Sequence, residues 1–282
     1  MVTLPGGEVW PALGLGTWRM GEAAAARGAE VAAVRAAIEM GYRVIDTAEM
    51  YGEGGAEEVV GSAVAESLRA GAVRRDELFV VSKVYPHNAS AAGTVAACER
   101  SRRRLGLDHI DCYLLHWRGE VPLAETVAAF EQLRAAGRIR HWGVSNFDLD
   151  DMEELLAVEG GERCATNQIY YALSARGPAF ALLPWQVARG IVTMAYSPID
   201  QGSLARSPAL AAIARRHGAT PAQIALAWLI TQPGVMAIPK AVSQLHLREN
   251  LESDRITLSE TDRVELDAAF PAPQRKTPLA MR

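Results

Sequence analysis

The chain has 282 residues, of which 49% are hydrophobic and 22% charged, and its formal net charge is −4. The length is close to the roughly 250 residues of a single (β/α)8 barrel and gives material for a large core. The composition is that of an ordinary soluble globular protein, and the acidic balance argues against nucleic acid or anionic membranes as partners.

The start, Met1 to Gly7, has no basic stretch leading into an apolar one, and no uncharged apolar segment is long enough to span a bilayer. Neither export nor membrane insertion is expected. Val2 to Leu4 and Glu8 to Trp10 flank Pro5-Gly6-Gly7, the pattern of a small β-hairpin. Apolar runs with strand character then recur at Ala12 to Gly16, Tyr42 to Asp46, Leu78 to Val84, Ile110 to His116, His141 to Ser145, Thr166 to Tyr170, Val192 to Tyr196 and Val235 to Pro239. Helical periodicity fills the intervals: Ala29 to Met40, Gly55 to Leu68, Ala92 to Leu105, Pro122 to Ala136, Asp148 to Val158, Leu182 to Arg189 and Pro208 to Thr231, the last broken near Gly218. An eighth helix is expected from Ser243 to about Leu251, and a further one from Ser259 to Phe270, where Ser259, Thr261 and Asp262 supply a usable N-terminus.

Eight strand–helix repeats imply a parallel sheet closed as an α/β (β/α)8 TIM barrel, with the N-terminal β-hairpin and an extra C-terminal helix added. An open dinucleotide-binding sheet would carry G-x-G-x-x-G after its first strand. Gly14-Leu15-Gly16-Thr17-Trp18-Arg19 lacks the third glycine. No Pro/Gly/Ser-rich linker or charge block divides the chain, so residues 1–282 read as one domain. Cys98, Cys112 and Cys164 are odd in number and far apart, which disfavours a disulfide framework and makes the reducing cytoplasm the expected compartment.

Asp46, Tyr51, Lys83 and His116 stand at or just beyond the ends of three of these runs. In a parallel barrel they converge on the C-terminal mouth, where barrel enzymes carry their chemistry. A phenol titrates near 10 in water, so Tyr51 is an efficient acid at neutral pH only if a cation stabilises its phenolate. Lys83 supplies that cation, Asp46 holds the ammonium, and His116 hydrogen-bonds a substrate carbonyl or relays a proton. Singly, each has an ordinary reading as a loop cap, a surface aromatic, a solvated lysine or a core histidine. Four compatible groups at three strand ends favour the catalytic one.

The same residues carry a resemblance to the aldo-keto reductases. Asp46-Thr47-Ala48-Glu49-Met50-Tyr51-Gly52 is similar to that family's D-x-A-x-x-Y-G segment, Ser82-Lys83 to its lysine strand and Leu115-His116-Trp117 to its histidine strand. Gly143-Val144-Ser145-Asn146-Phe147, Asn167-Gln168, Ala195-Tyr196-Ser197-Pro198 and Ile238-Pro239-Lys240 follow in the family's order, so the likeness runs from about Gly14 to Asn250. It implies a barrel that binds NADPH/NADP+ in an extended conformation and transfers hydride between nicotinamide and an aldehyde or ketone.

By that resemblance Tyr51 is the proton donor, Lys83 and Asp46 tune it, and His116 orients the carbonyl. Ser145, Asn146 and Gln168 hold the nicotinamide carboxamide, and Tyr196 stacks on the ring. Ser197, Pro198, Gln201 and Ser203 follow the diphosphate, Lys240, Ala241, Ser243 and His246 surround the 2′-phosphate, and Glu249 and Asn250 contact adenine. Ala241 and His246 stand where the family often has serine and arginine, with Arg248 and Ser243 as substitutes. Asp200 falls in the diphosphate loop, where it must point away or accept a hydrogen bond from a neighbouring cation. Trp18, Tyr85 and Trp117 are placed round the substrate pocket.

The ending after Phe270, with Leu182-Leu183-Pro184-Trp185 and the run from Leu115 to Gly119, is similar to bacterial members that reduce methylglyoxal. Broad activity on small aldehydes and α-dicarbonyls, in an open pocket, is the expectation, with the protein acting as a monomer. No metal is expected, because the histidines are dispersed and the cysteines lack C-x-x-C spacing. Two alternatives are a cofactor-binding regulatory subunit with little turnover and a non-redox barrel enzyme.

Overall fold

Successive residues of a strand point to opposite faces, so in a closed barrel every second residue enters the lumen and the others meet the helices outside. The computed structural model describes residues 1–282. It opens with two antiparallel strands, β1 (Val2–Thr3) and β2 (Val9–Trp10), in which Val2 faces Trp10. The first turns of the barrel are β3 (Leu15–Gly16), α1 (Arg27–Met40), β4 (Val44–Asp46), α2 (Gly55–Arg69), β5 (Phe79–Val84) and α3 (Ala91–Leu105). Then come β6 (Ile110–Leu115), α4 (Leu123–Ala135), β7 (Ile139–Ser145), α5 (Leu149–Ala157), β8 (Thr166–Tyr170) and α6 (Leu182–Val187). β9 (Val192–Tyr196), α7 (Pro208–His217), α8 (Pro221–Ile230), β10 (Val235–Ala237), α9 (Gln244–Glu252) and α10 (Glu260–Ala269) complete the chain.

The eight strands from β3 to β10 are parallel and pair in chain order. Bridges from Leu13 to Ala237 and from Gly16 to Lys240 join the first strand region to the last, so the sheet curls back on itself. β3 is shorter than the apolar run from Ala12 suggests, although the Gly14 N–H still donates to the Ala237 carbonyl at 2.8 Å. β10 stops before Pro239, which has no N–H to donate, while the Pro239 carbonyl accepts from Gly16. The expected break in the long seventh helical stretch is a full interruption. Gly218 adopts a φ of 60°, closing α7, and Thr220 then caps α8 by exchanging hydrogen bonds with Gln223.

Two apolar layers result. Val44, Phe79, Val81, Cys112, Leu114 and Met194 fill the lumen, and Val2 and Leu4 of the N-terminal strands plug it from below. The residues between them, such as Ile45, Val80 and Tyr113, pack outward against the helices. Gly143 shows how close β7 and β8 run: a Cβ there would lie 2.2 Å from the Thr166 carbonyl oxygen. None of the helices is long and apolar enough to cross a membrane.

At the opposite end from the site, the fully buried Asp111 of β6 accepts from Arg75 at 2.7 Å, from Arg140 at 3.1 Å and from the Val80 N–H at 2.9 Å. Burial opposes ionisation, but His109, Arg75 and the Val80 N–H together hold its carboxyl below the ordinary value. The pair therefore stabilises the fold at neutral pH, and that contribution is lost as pH falls through the depressed value. Asp111→Ala removes the buried acceptor shared by two guanidinium groups and the Val80 N–H and should cost about 3 kcal/mol, lowering Tm by roughly 5–10 °C. An unchanged thermal unfolding midpoint would refute this ion cluster as a stabilising element.

Candidate active site

The lumen alternation sets the site. Asp46 lies two residues beyond Val44, Lys83 two beyond Val81, and His116 two beyond Leu114, so each continues an apolar lumen face into the C-terminal mouth. The Lys83 ammonium is fully buried and has three donors to place. It donates to Asp46 Oδ2 at 2.9 Å, to the Thr47 carbonyl at 2.8 Å and to the Tyr51 hydroxyl oxygen at 3.2 Å. Because Tyr51 accepts from Lys83, its own proton is left to point elsewhere, and Tyr51 lines the open cleft. His116 meets the Tyr51 ring edge-on at 5.8 Å between centroids. Its Nδ1 is buried with no hydrogen-bond partner.

Burial dominates the electrostatics. It pushes the Tyr51 phenol above its ordinary value of 10, outweighing the opposing pull of Lys83. Lys83 acts in the expected direction, lowering the phenol, but burial outweighs it and the net shift in the resting protein is upward. Desolvation of the half-buried phenolate costs more than one ammonium restores, and the nearby Asp46 charge adds to the upward push. Burial also raises Asp46 against the pull of Lys83. For Lys83, desolvation works downward, but Asp46 and Tyr51 hold the ammonium above its usual range. Burial, assisted by Lys83, holds the His116 imidazole well below 6.5.

The facing wall is a hydrogen-bonded chain. Tyr196 Oη donates to Asn146 Oδ1 at 2.8 Å, Asn146 Nδ2 donates to Ser145 Oγ at 3.1 Å, and Ser145 Oγ donates to the Gln168 carbonyl at 2.8 Å. Asn146 takes a φ of 60°, which turns its side chain from the strand direction, and its Nδ2 also reaches the His116 carbonyl at 3.1 Å. Ser145 and Asn146 are not the cap of the following helix, because Asp148 caps α5 in a reciprocal pair with Asp151. Gln168 joins the two halves: its Nε2 donates to Asp46 Oδ1 at 2.7 Å.

Between these walls lies a cleft of about 680 Å³. Its wall includes Asp46, Tyr51 and His116 on one side and Ser145, Asn146, Gln168 and Tyr196 on the other. Ser197, Pro198, Gln201 and Lys240 continue it, and Trp18 and Trp117 stand at its mouth. Lys83 sits behind the wall. Tyr85 also lies outside it, packed on His87 at 4.7 Å and edge-on to Trp117 at 5.8 Å, with its N–H held by Glu49. Ser203 turns to Asp200, with Oγ 2.6 Å from Oδ2. Ala241 is buried, while Ser243, His246, Glu249 and Asn250 follow on the surface loop and α9, beyond the cleft walls.

Several wall residues carried no signal in the sequence reading. Arg19, with a φ of 65°, lays its guanidinium over Trp18 at 4.8 Å, and neither it nor Lys240 has a carboxylate partner. Met281 and Arg282 come from the far end of the chain, where the short tail was read as leaving the pocket open. Asp200, whose direction the sequence left undecided, points away from the cleft. It accepts from Tyr170 at 2.6 Å and Ser174 at 3.1 Å, and pairs with Arg282 at 2.9 Å.

A barrel with this site matches the aldo/keto reductase family over residues 12–270, and the chain belongs to that family. It is 48% identical over 286 residues to the methylglyoxal reductase YeaE of Escherichia coli (strain K12), spanning 100% of this chain and 98% of that protein. The glyoxal reductase of Bacillus subtilis (strain 168) is 37% identical over 267 residues, 95% of this chain and 91% of its own. Among solved structures, an aldo-keto reductase from Klebsiella pneumoniae in complex with NADPH superposes with a TM-score of 0.94 at 49% identity, covering 100% and 98% of the two chains.

The unfolded chain binds a proton at His116 near 6.5 whereas the folded site does not, so His116 subtracts stability as pH falls below about 6.5 and has no effect above it. Its ring chemical shifts should stay constant from pH 8 to 6. A titration midpoint inside that window would contradict the buried, neutral imidazole.

Proposed function

We propose that the protein is an NADPH-dependent reductase of small aldehydes and ketones, including α-dicarbonyls such as methylglyoxal, with Tyr51 as proton donor. The observation that carries this reading is the Lys83 ammonium, which spends all three donors on Asp46, Thr47 and Tyr51 and so leaves the phenol proton for a ligand in the cleft. The names of the Escherichia coli and Bacillus subtilis relatives support the substrate class, and the Klebsiella pneumoniae complex supports the cofactor.

The residues present fit a reduced nicotinamide dinucleotide. The cleft is within the size range of small-molecule and cofactor sites. Arg19 and Lys240 are unpaired cations in its wall, suited to phosphate groups. Gln168 commits its NH2 to Asp46 and keeps its carbonyl end as an acceptor for a carboxamide. Ser145 and Asn146 offer a hydroxyl and an amide beside it, and the Tyr196 ring covers one face. When bound, the cofactor supplies a hydride to the carbonyl carbon.

The protein's own groups handle the oxygen. His116, held neutral, keeps one N–H to orient the carbonyl without adding a buried positive charge. Tyr51 transfers its proton to the oxygen as negative charge grows there, giving the alcohol. The resulting phenolate oxygen lies 3.2 Å from Lys83, whose ammonium stabilises it until solvent returns a proton. The raised phenol keeps Tyr51 protonated through neutral pH, which suits reduction; the reverse reaction needs the phenolate and should accelerate as pH rises. Trp18 and Trp117 give apolar walls to a small substrate. One chain carries the whole site, consistent with action as a monomer in the cytoplasm.

Loss of NADPH absorbance with methylglyoxal or 4-nitrobenzaldehyde tests this reading. Tyr51→Phe and Lys83→Met should lower kcat by at least about 100-fold while still binding NADPH, because each removes part of the proton-donor pair. Wild-type turnover in Tyr51→Phe would eliminate Tyr51 as the acid. Lys240→Ala should weaken NADPH and leave NADH unaffected; equal loss of both would show that Lys240 does not read the 2′-phosphate.

A further inference from the structure

The chain beyond α10 is mostly exposed but is tied to the barrel at several points. Lys276 Nζ pairs with Asp150 at the start of α5 at 2.7 Å, Leu279 packs against the outer apolar layer, and Met281 and Arg282 then enter the cleft wall. At its end the Arg282 N–H lies 3.2 Å from Tyr196 Oη, and the guanidinium pairs with Asp200 at 2.9 Å while resting 5.3 Å from the Tyr170 ring centroid. The segment 271–282 is thus a strap crossing the barrel mouth from α5 to the loop after β9.

Asp200 is built to receive it. Its carboxylate is buried and also accepts from the Tyr170, Ser174 and Ser203 hydroxyls, so it stays oriented whether or not the guanidinium is present. Asp200 and its neighbour Gln201 hold left-handed backbone, with φ of 48° and 51°, in the loop that lines the cleft. Arg282, by contrast, is 44% exposed. An ion pair with one solvated partner is weak and opens readily. The result is a fixed catch and a removable bolt. The strap borders the cleft without filling it, since about 680 Å³ remains open beside Met281 and Arg282.

We infer that the Arg282–Asp200 pair is a latch that closes the C-terminal strap over the cofactor cleft beside Tyr196 and paces the exit of NADP(H). This rests on the proposed use of NADPH. Full closure requires the guanidinium to sit on Asp200, so loss of either charge loosens the end of the strap, beyond its anchors at Lys276 and Leu279, and eases the path by which the dinucleotide leaves. The contact between the Arg282 backbone and Tyr196 places the strap against the ring assigned to stack on the nicotinamide.

The test is stopped-flow fluorescence of NADPH dissociation from the full chain. Arg282→Ala and Asp200→Asn should each speed dissociation about two- to fivefold, because a weak exposed pair of this kind bounds the effect to a few-fold. The double variant should be no faster than either single one, since both remove the same contact, and Arg282→Lys should retain part of the effect. Unchanged or slower dissociation in Arg282→Ala, or additive effects in the double variant, would each overturn the latch. Failure of the wild-type protein to bind NADPH would overturn the proposed function as well, so the two are separable.

Discussion

A buried ammonium organises this barrel's upper end. Lys83 has no access to solvent, and an ion placed there costs several kcal/mol unless its donors are met. Three acceptors meet them: the Asp46 carboxylate, the Thr47 carbonyl and the Tyr51 hydroxyl oxygen. Asp46 must therefore end β4 on the lumen side, the loop after it must turn its carbonyl inward, and Tyr51 must come back over the strand end. The proton left on the phenol faces the cleft as a consequence.

The same alternation that sends Lys83 inward sends Val81 and Phe79 inward beneath it. Apolar lumen side chains and the N-terminal strands exclude water from below, so the ion pair is screened poorly and its geometry is held firmly. Burial then sets the protonation states. Tyr51 keeps its proton and His116 stays neutral, which together suit donation to a carbonyl oxygen. Asp46 also accepts from Gln168, so the two sides of the cleft are tied through one carboxylate.

The opposite wall is held by contacts of a different kind. The loop from Ser197 to Ser203 holds three non-glycine residues at positive φ, Ser197, Asp200 and Gln201. Such conformations persist where neighbouring contacts over-determine them, and here the hydroxyls gathered on Asp200 do so. The Asp200 carboxylate is thereby turned toward three hydroxyls and the Arg282 guanidinium.

The strand–helix order, the break at Gly218 and the quartet of Asp46, Tyr51, Lys83 and His116 were all legible in the sequence. Each depends on local pattern: period-2 runs, helix caps, and position at a strand end in a parallel barrel. The family motifs added Ser145, Asn146, Gln168, Tyr196 and Lys240, all of which line the cleft. What the sequence left undecided depends on distances between residues remote along the chain. The net direction of the Tyr51 shift requires knowing how completely it is enclosed. The facing of Asp200 is set by Tyr170, Ser174 and Arg282, and the place of Tyr85 by its packing on His87 and Trp117. Arg19 entered the wall through a left-handed backbone turn that no motif announces, and Arg282 through a tail that folds back across the mouth. Local chemistry decided which groups the barrel presents at its mouth; tertiary packing decided their protonation, their partners and which of them face the cleft, because burial and long-range ion pairing exist only once the chain has closed.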